Sequence, residues 1–122
     1  MIIALEEAKY KLVGMRADIK ELGSALKIDE LRATAEELDA KTLDPNFWTL
    51  EDSSKILQKI KQTKDVIEGY EELCARLEDA ITLAEMAIEE SDESCVEEVE
   101  SELAEISKAA EIRKNGIFPG QK

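Results

Sequence analysis

Carboxylates are the residues here best placed to do chemistry. The 122-residue chain has 29 Asp and Glu, 16 Lys and Arg, and no His. Without His it lacks the commonest general base, the commonest zinc ligand and the usual near-neutral proton switch. Acid–base catalysis by carboxylates needs two of them facing one pocket. Pairs such as Glu71 and Glu72 are frequent, but nothing in the pattern singles out two. The five glycines are scattered, and Gly116 and Gly120, which bracket Pro119, do not have phosphate-loop spacing. No nucleophile, base and orienting group come together, so the chain is expected to be non-catalytic and to need no cofactor.

The two thiols, Cys74 and Cys95, do not form a CxxC pair. Cys74 falls on an apolar helical stripe and reads as a small core residue. Cys95 lies among acids that should raise its thiol pKa, which argues against a reactive thiolate. Glu89, Glu90, Asp92 and Glu93 crowd one turn. A calcium loop needs alternating ligands around a central Gly, and this turn has neither, so no metal is expected.

These four acids belong to a larger asymmetry. Residues 1–70 carry 14 acids and 11 bases, whereas residues 71–111 carry 15 acids and 2 bases, Arg76 and Lys108. From Glu85 to Glu105 there are ten acids and no base. Such a surface repels phosphate backbones and suits a basic protein partner, or else simply keeps a helix face solvated. Glu89, Glu90, Asp92 and Glu93 are the candidate partner contacts.

Helices must position these groups, because apolar residues recur at steps of three and four. Leu5, Ala8, Leu12, Met15, Ile19 and Leu22 form one stripe, predicting a helix over about 3–22 with Gly23-Ser24 as its stop. A second stripe, Ile28, Leu31, Ala35 and Leu38, predicts a helix over 29–41 with Asp29 as N-cap. Pro45 ends it. Thr49 with Asp52 reads as a capping box opening a long helix over 50–90. Pro45, Phe47 and Trp48 read as a structural plug between helices two and three, more than as a partner-binding hot spot. Gly69 inside the long helix calls for a close neighbour or a slight bend. Asp92 or Ser94 is placed to cap a fourth helix over 93–114, and residues 115–122 are expected to be an irregular tail.

The fold class expected is therefore all-α. Residues 1–114 form an elongated antiparallel bundle with one long central helix and coiled-coil-like packing. The second helix should fold on the N-terminal half of the long one and the fourth on its C-terminal half. Turn punctuation is too sparse for a sandwich or barrel. No apolar run approaches a membrane span. Met1-Ile2-Ile3 is followed at once by Glu6 and Glu7, so no signal peptide is read; with two unpaired thiols this predicts a cytoplasmic protein.

One stretch is more specific. Leu38-Asp39-Ala40-Lys41-Thr42-Leu43-Asp44-Pro45-Asn46-Phe47-Trp48, followed by a long helix, resembles the N-terminal helical domain of bacterial peptide chain release factors, and the type-2 factors in particular. Leu77-Glu78-Asp79, the Glu89–Glu93 turn and Val99-Glu100-Ser101-Glu102-Leu103 are also similar to it. The resemblance covers roughly residues 3–112 and implies a role in translation termination. In that family a Ser-Pro-Phe tripeptide reads the stop codon and a Gly-Gly-Gln loop drives ester hydrolysis, both in later domains, and neither occurs here. The resemblance implies docking of the factor on the ribosomal stalk base of the large subunit, with no direct codon reading. From Ile112 to Lys122 the sequence departs from the family, as a cut at a domain boundary or a stand-alone paralogue would. The alternative reading is a free-standing acidic helical adaptor, or a coiled-coil oligomer, that binds a basic protein partner.

Overall fold

The computed structural model describes residues 2–115, and within them the chain is helical with no strand. Four helices follow in order: α1 (Ile2–Leu26), α2 (Ile28–Lys41), α3 (Ser53–Glu89) and α4 (Val96–Lys114). Short 3₁₀ turns at Phe47–Thr49 and Glu93–Cys95 precede α3 and α4. The region expected to form an irregular tail lies, from Gly116 onward, outside the described residues.

The long helix α3 is the spine. At 1.5 Å per residue its 37 residues span about 55 Å. Its C-terminal half packs with α1 and α4 as a three-helix bundle. Leu5, Leu12, Ile19 and Leu22 of α1 meet Leu73, Leu77, Ile81 and Ala84 of α3 and Val99 and Ile106 of α4 in one buried cluster. Ion pairs along the rim record the register. Lys9–Glu85 and Arg16–Glu78 join α1 to α3 in antiparallel order, and Arg76–Glu102 joins α3 to α4. The N-terminal half of α3 packs chiefly against α2 and the Phe47 turn, and only near its middle, at Gly69 and Tyr70, does it also meet α4 and α1. Arg32–Glu71 and Lys64–Asp39 edge that seam, over Ile28, Ala35, Phe47, Ile60, Thr63 and Ile67. The second and fourth helices thus cover opposite halves of the spine, as the stripes require.

The start of α4 differs from expectation, since Cys95 holds its cap position without a side-chain bond and Asp92 caps the preceding 3₁₀ turn instead; four further places differ as well. First, α1 does not stop at Gly23-Ser24; it runs through them to Leu26. Gly23 is buried against Tyr70, where a Cβ would collide with the hydroxyl and with a ring carbon at 2.6 Å. Its missing side chain lets Tyr70 reach across and donate to the Ile19 carbonyl at 3.2 Å. The break falls at Lys27 instead, in the left-handed region at φ 57°. Second, Asp29 does not cap α2. It sits inside the first turn and accepts from Arg32, while Lys27 holds the cap position without a side-chain bond.

Third, the Thr49–Asp52 capping box does not form. Thr49 is drawn into a 3₁₀ turn, where its hydroxyl donates to the Asn46 carbonyl at 2.7 Å, and Asp52 takes the cap position of α3 with no side-chain bond. Fourth, the Pro45-Phe47-Trp48 plug reduces to Phe47. Phe47 is 1% exposed, Trp48 is 65% exposed, and Pro45 lies on the surface. Adjacent residues in a tight turn point apart, so only one ring can enter the narrow two-helix seam. Gly69 does have a close neighbour, the buried Arg113 guanidinium, whose Nη1 donates to the Ala109 carbonyl at 3.3 Å.

Candidate functional site

The four candidate contact residues gather at one extremity of the spine. Glu89 closes α3, Glu90 is its C-cap, and Asp92 and Glu93 follow in the turn before α4; all four are exposed. The backbone turns sharply there. Ser91 adopts φ 51°, the Asp92 N–H bonds the Ala87 carbonyl at 2.8 Å, and the Ser91 N–H bonds the Ile88 carbonyl at 3.1 Å. This pair of bonds satisfies the last carbonyls of α3 and directs the chain back into α4.

The acids of this end have unlike roles. Asp92 is structural. Its carboxylate accepts from the Ser94 hydroxyl and, at 3.0 Å, from the Ser94 N–H, and these bonds hold it below the usual carboxylate range. Glu97 and Glu98 lie in the first turn of α4, where the helix dipole favours negative charge. Glu89 and Glu90 have no such support. They stand at the C-terminal end of a long helix whose last turn carries no base, against the dipole. An unfavourable charge there costs about 0.3–1 kcal/mol. Cys95, half-buried beside them, has its thiol pushed up by desolvation and then by Asp92, so it is a poor thiolate source. No group of three or more metal-ligating side chains occurs among the described residues.

The opposite extremity holds the segment read from the sequence as a structural plug more than as a partner-binding hot spot. There Trp48 stands edge-on to Phe47, with ring centroids 5.0 Å apart and planes at 89°. Leu43 and Leu50, which flank this turn in sequence, are exposed, as is Leu57 in the second turn of α3. The signal that could have revealed this exposure is the run of apolar residues 47, 48 and 50, too many for one narrow seam to cover. No helix of the described residues is long and apolar enough to cross a membrane.

The PCRF domain family matches residues 31–117. Peptide chain release factor 2 of Clostridium perfringens strain SM101 is 31% identical over 115 residues, which is 93% of this chain and 31% of the relative. Peptide chain release factor 2 of Salinispora tropica is 35% identical over 110 residues, 86% of this chain and 29% of the relative. That of Aliivibrio fischeri is 31% identical over 97 residues, covering 78% and 27% respectively. The chain thus spans about a third of the length of the curated relatives it matches. No solved structure matches it.

Proposed function

Because this chain belongs to the PCRF domain family of peptide chain release factors, we propose that it is the non-catalytic N-terminal domain that docks such a factor on the ribosome. The site of docking in this reading is the stalk base of the large subunit, and the compartment is the cytoplasm. The surface that makes the contact is the acidic end of the spine, Glu89 and Glu90 with Asp92 and Glu93 beside them. The observation that carries this is the placement of Glu89 and Glu90 against the dipole of α3. A charge that opposes its own helix weakens the fold locally, and a partner that needs the charge gives it a use. The complement is a basic surface of a ribosomal protein. Codon reading and ester hydrolysis fall to other parts of the factor.

The chemistry of the contact suggests its own test. A carbodiimide joins a carboxylate to a lysine that touches it. Incubated with ribosomes and this reagent, the chain should form amide cross-links from the segment around Glu89–Glu93 to a protein of the stalk base. Cross-links only from other segments, or only to proteins remote from the stalk base, would overturn the proposal.

A further inference from the structure

We propose that the groove where α1 and α4 end takes the stretch of this same polypeptide that follows Asn115, with the Phe118 ring seated in it. The groove has a volume of about 600 Å³, and Leu22, Ala25 and Leu26 of α1 and Ala110 of α4 supply its apolar wall. Arg113 also lines it and is only 8% exposed. Its guanidinium packs against Gly69 and is poorly satisfied. Nη1 donates to the Ala109 carbonyl at 3.3 Å, Nε is buried without a partner, and no carboxylate pairs with the group among the described residues. A buried donor left unmet is costly, and native structures seldom leave one. An apolar side chain and a hydrogen-bond acceptor are what this groove lacks.

Charge and position select the occupant. Asp18, Glu21 and Glu111 are exposed along the groove, against Lys114 and the buried Arg113. With three acids to two bases, a free anion or an acidic peptide is repelled. A main-chain carbonyl supplies the acceptor and adds no charge. Asn115 is the C-cap of α4 and Lys114 lines the groove, so the chain leaves the helix at the groove's mouth. The sequence goes on as Gly116-Ile117-Phe118-Pro119. Gly is the residue that most readily turns a chain just past a helix end. Pro119 biases Phe118 to an extended backbone, in which successive side chains point to opposite sides. At about 3.6 residues per turn, Ile112 and Ala110 likewise face opposite sides of α4. Ile117 is thus set to cover Ile112, which is 37% exposed, while Phe118 enters the groove beside Ala110. Three residues reach about 10 Å, enough to cross one helix end. A short tether also gives this segment a high effective concentration, which a free partner must overcome. In relatives about three times as long as this chain, the same seat would fix the direction in which the polypeptide leaves the helical domain.

The chain has two Phe, and Phe47 is buried in the seam between α2 and α3. NMR of the full chain with labelled Phe therefore reads the Phe118 ring, identified by its loss in Phe118→Asp. That ring should show nuclear Overhauser contacts to the methyl groups of Leu22 and Leu26. The Arg113 Nε–H should exchange with solvent about 10-fold more slowly in the parent than in Phe118→Asp, as a covered hydrogen bond does. Helical circular dichroism should be the same in both, which separates loss of the seat from loss of the fold. Absence of contacts from Phe118 to both leucines, or equal Arg113 exchange in the two proteins, would overturn the proposal. Contacts seen only between differently labelled copies in a mixed sample would give the groove to a second copy and overturn it as well. None of these outcomes depends on ribosome docking, which the cross-linking experiment tests separately.

Discussion

At the scale of single residues, neighbours in sequence can have opposite fates. Phe47 and Trp48 are adjacent aromatics in one turn, yet one is buried in the seam between α2 and α3 and the other faces solvent. Phe47→Ala should therefore cost about 3–5 kcal/mol, the range for emptying a large buried side chain. Trp48→Ala should stay within about 0.5 kcal/mol of the parent, as surface substitutions do. Equilibrium unfolding in urea separates the two; similar losses in both variants would contradict the placement. The same scale shows why part of the site was hidden in the sequence. Composition identifies an aromatic pair before a helix, but the width of the gap it enters depends on how closely α2 and α3 approach, which no local pattern encodes.

At the scale of elements, the stripes of three and four fix how many helices form and which faces they bury. Helix ends are less legible, because tertiary contacts overrule local signals there. Gly23 reads as a stop, and it is instead the place where Tyr70 touches α1. Lys27 and Ser91 adopt left-handed conformations that neither residue type advertises. In L-residues this conformation is disfavoured by roughly 1–2 kcal/mol. Ser91 sits at the αL position that ends α3, so Ser91→Gly should raise stability by about 1 kcal/mol. Thermal unfolding checks this; a lower melting temperature would mean that the Ser91 side chain supports the turn. The acidic turn was legible as a cluster, whereas its division into a structural Asp92 and unsupported Glu89 and Glu90 needed the hydrogen bonds and the helix end.

At the scale of the whole molecule, charge both holds the bundle together and strains it. Arg16 binds Glu78 in a fork, at 2.8 and 2.6 Å, and Arg76 binds Glu102 likewise, at 2.9 and 2.7 Å. Hydrogen bonding to these arginines holds both carboxyls below their ordinary range. A carboxyl whose pKa is lower folded than unfolded contributes stability above its unfolded value, near 4.3 for Glu, and loses it as pH falls through the lower, folded value. Stability should therefore drop as pH falls below about 4. The acid limb should be shallower in Arg76→Met, which removes the cause of the Glu102 shift. Melting temperatures of both proteins from pH 7 to pH 2 check this, and parallel acid limbs would contradict it.

The same strain underlies the central claim, that Glu89 and Glu90 at the end of a 55 Å spine serve docking rather than folding. The most direct measurement pairs stability with association for one variant, Glu89→Lys/Glu90→Lys. In the isolated chain, cations at the C-terminal end of α3 should match the dipole and leave stability unchanged or raised by about 1 kcal/mol. In a full-length factor, the same change should slow stopped-flow association with ribosomes stalled at a stop codon about 3- to 10-fold at low salt. The difference should close at high salt, where exposed charges are screened. Equal association rates at both ionic strengths would contradict the account and return these acids to a solvated helix end.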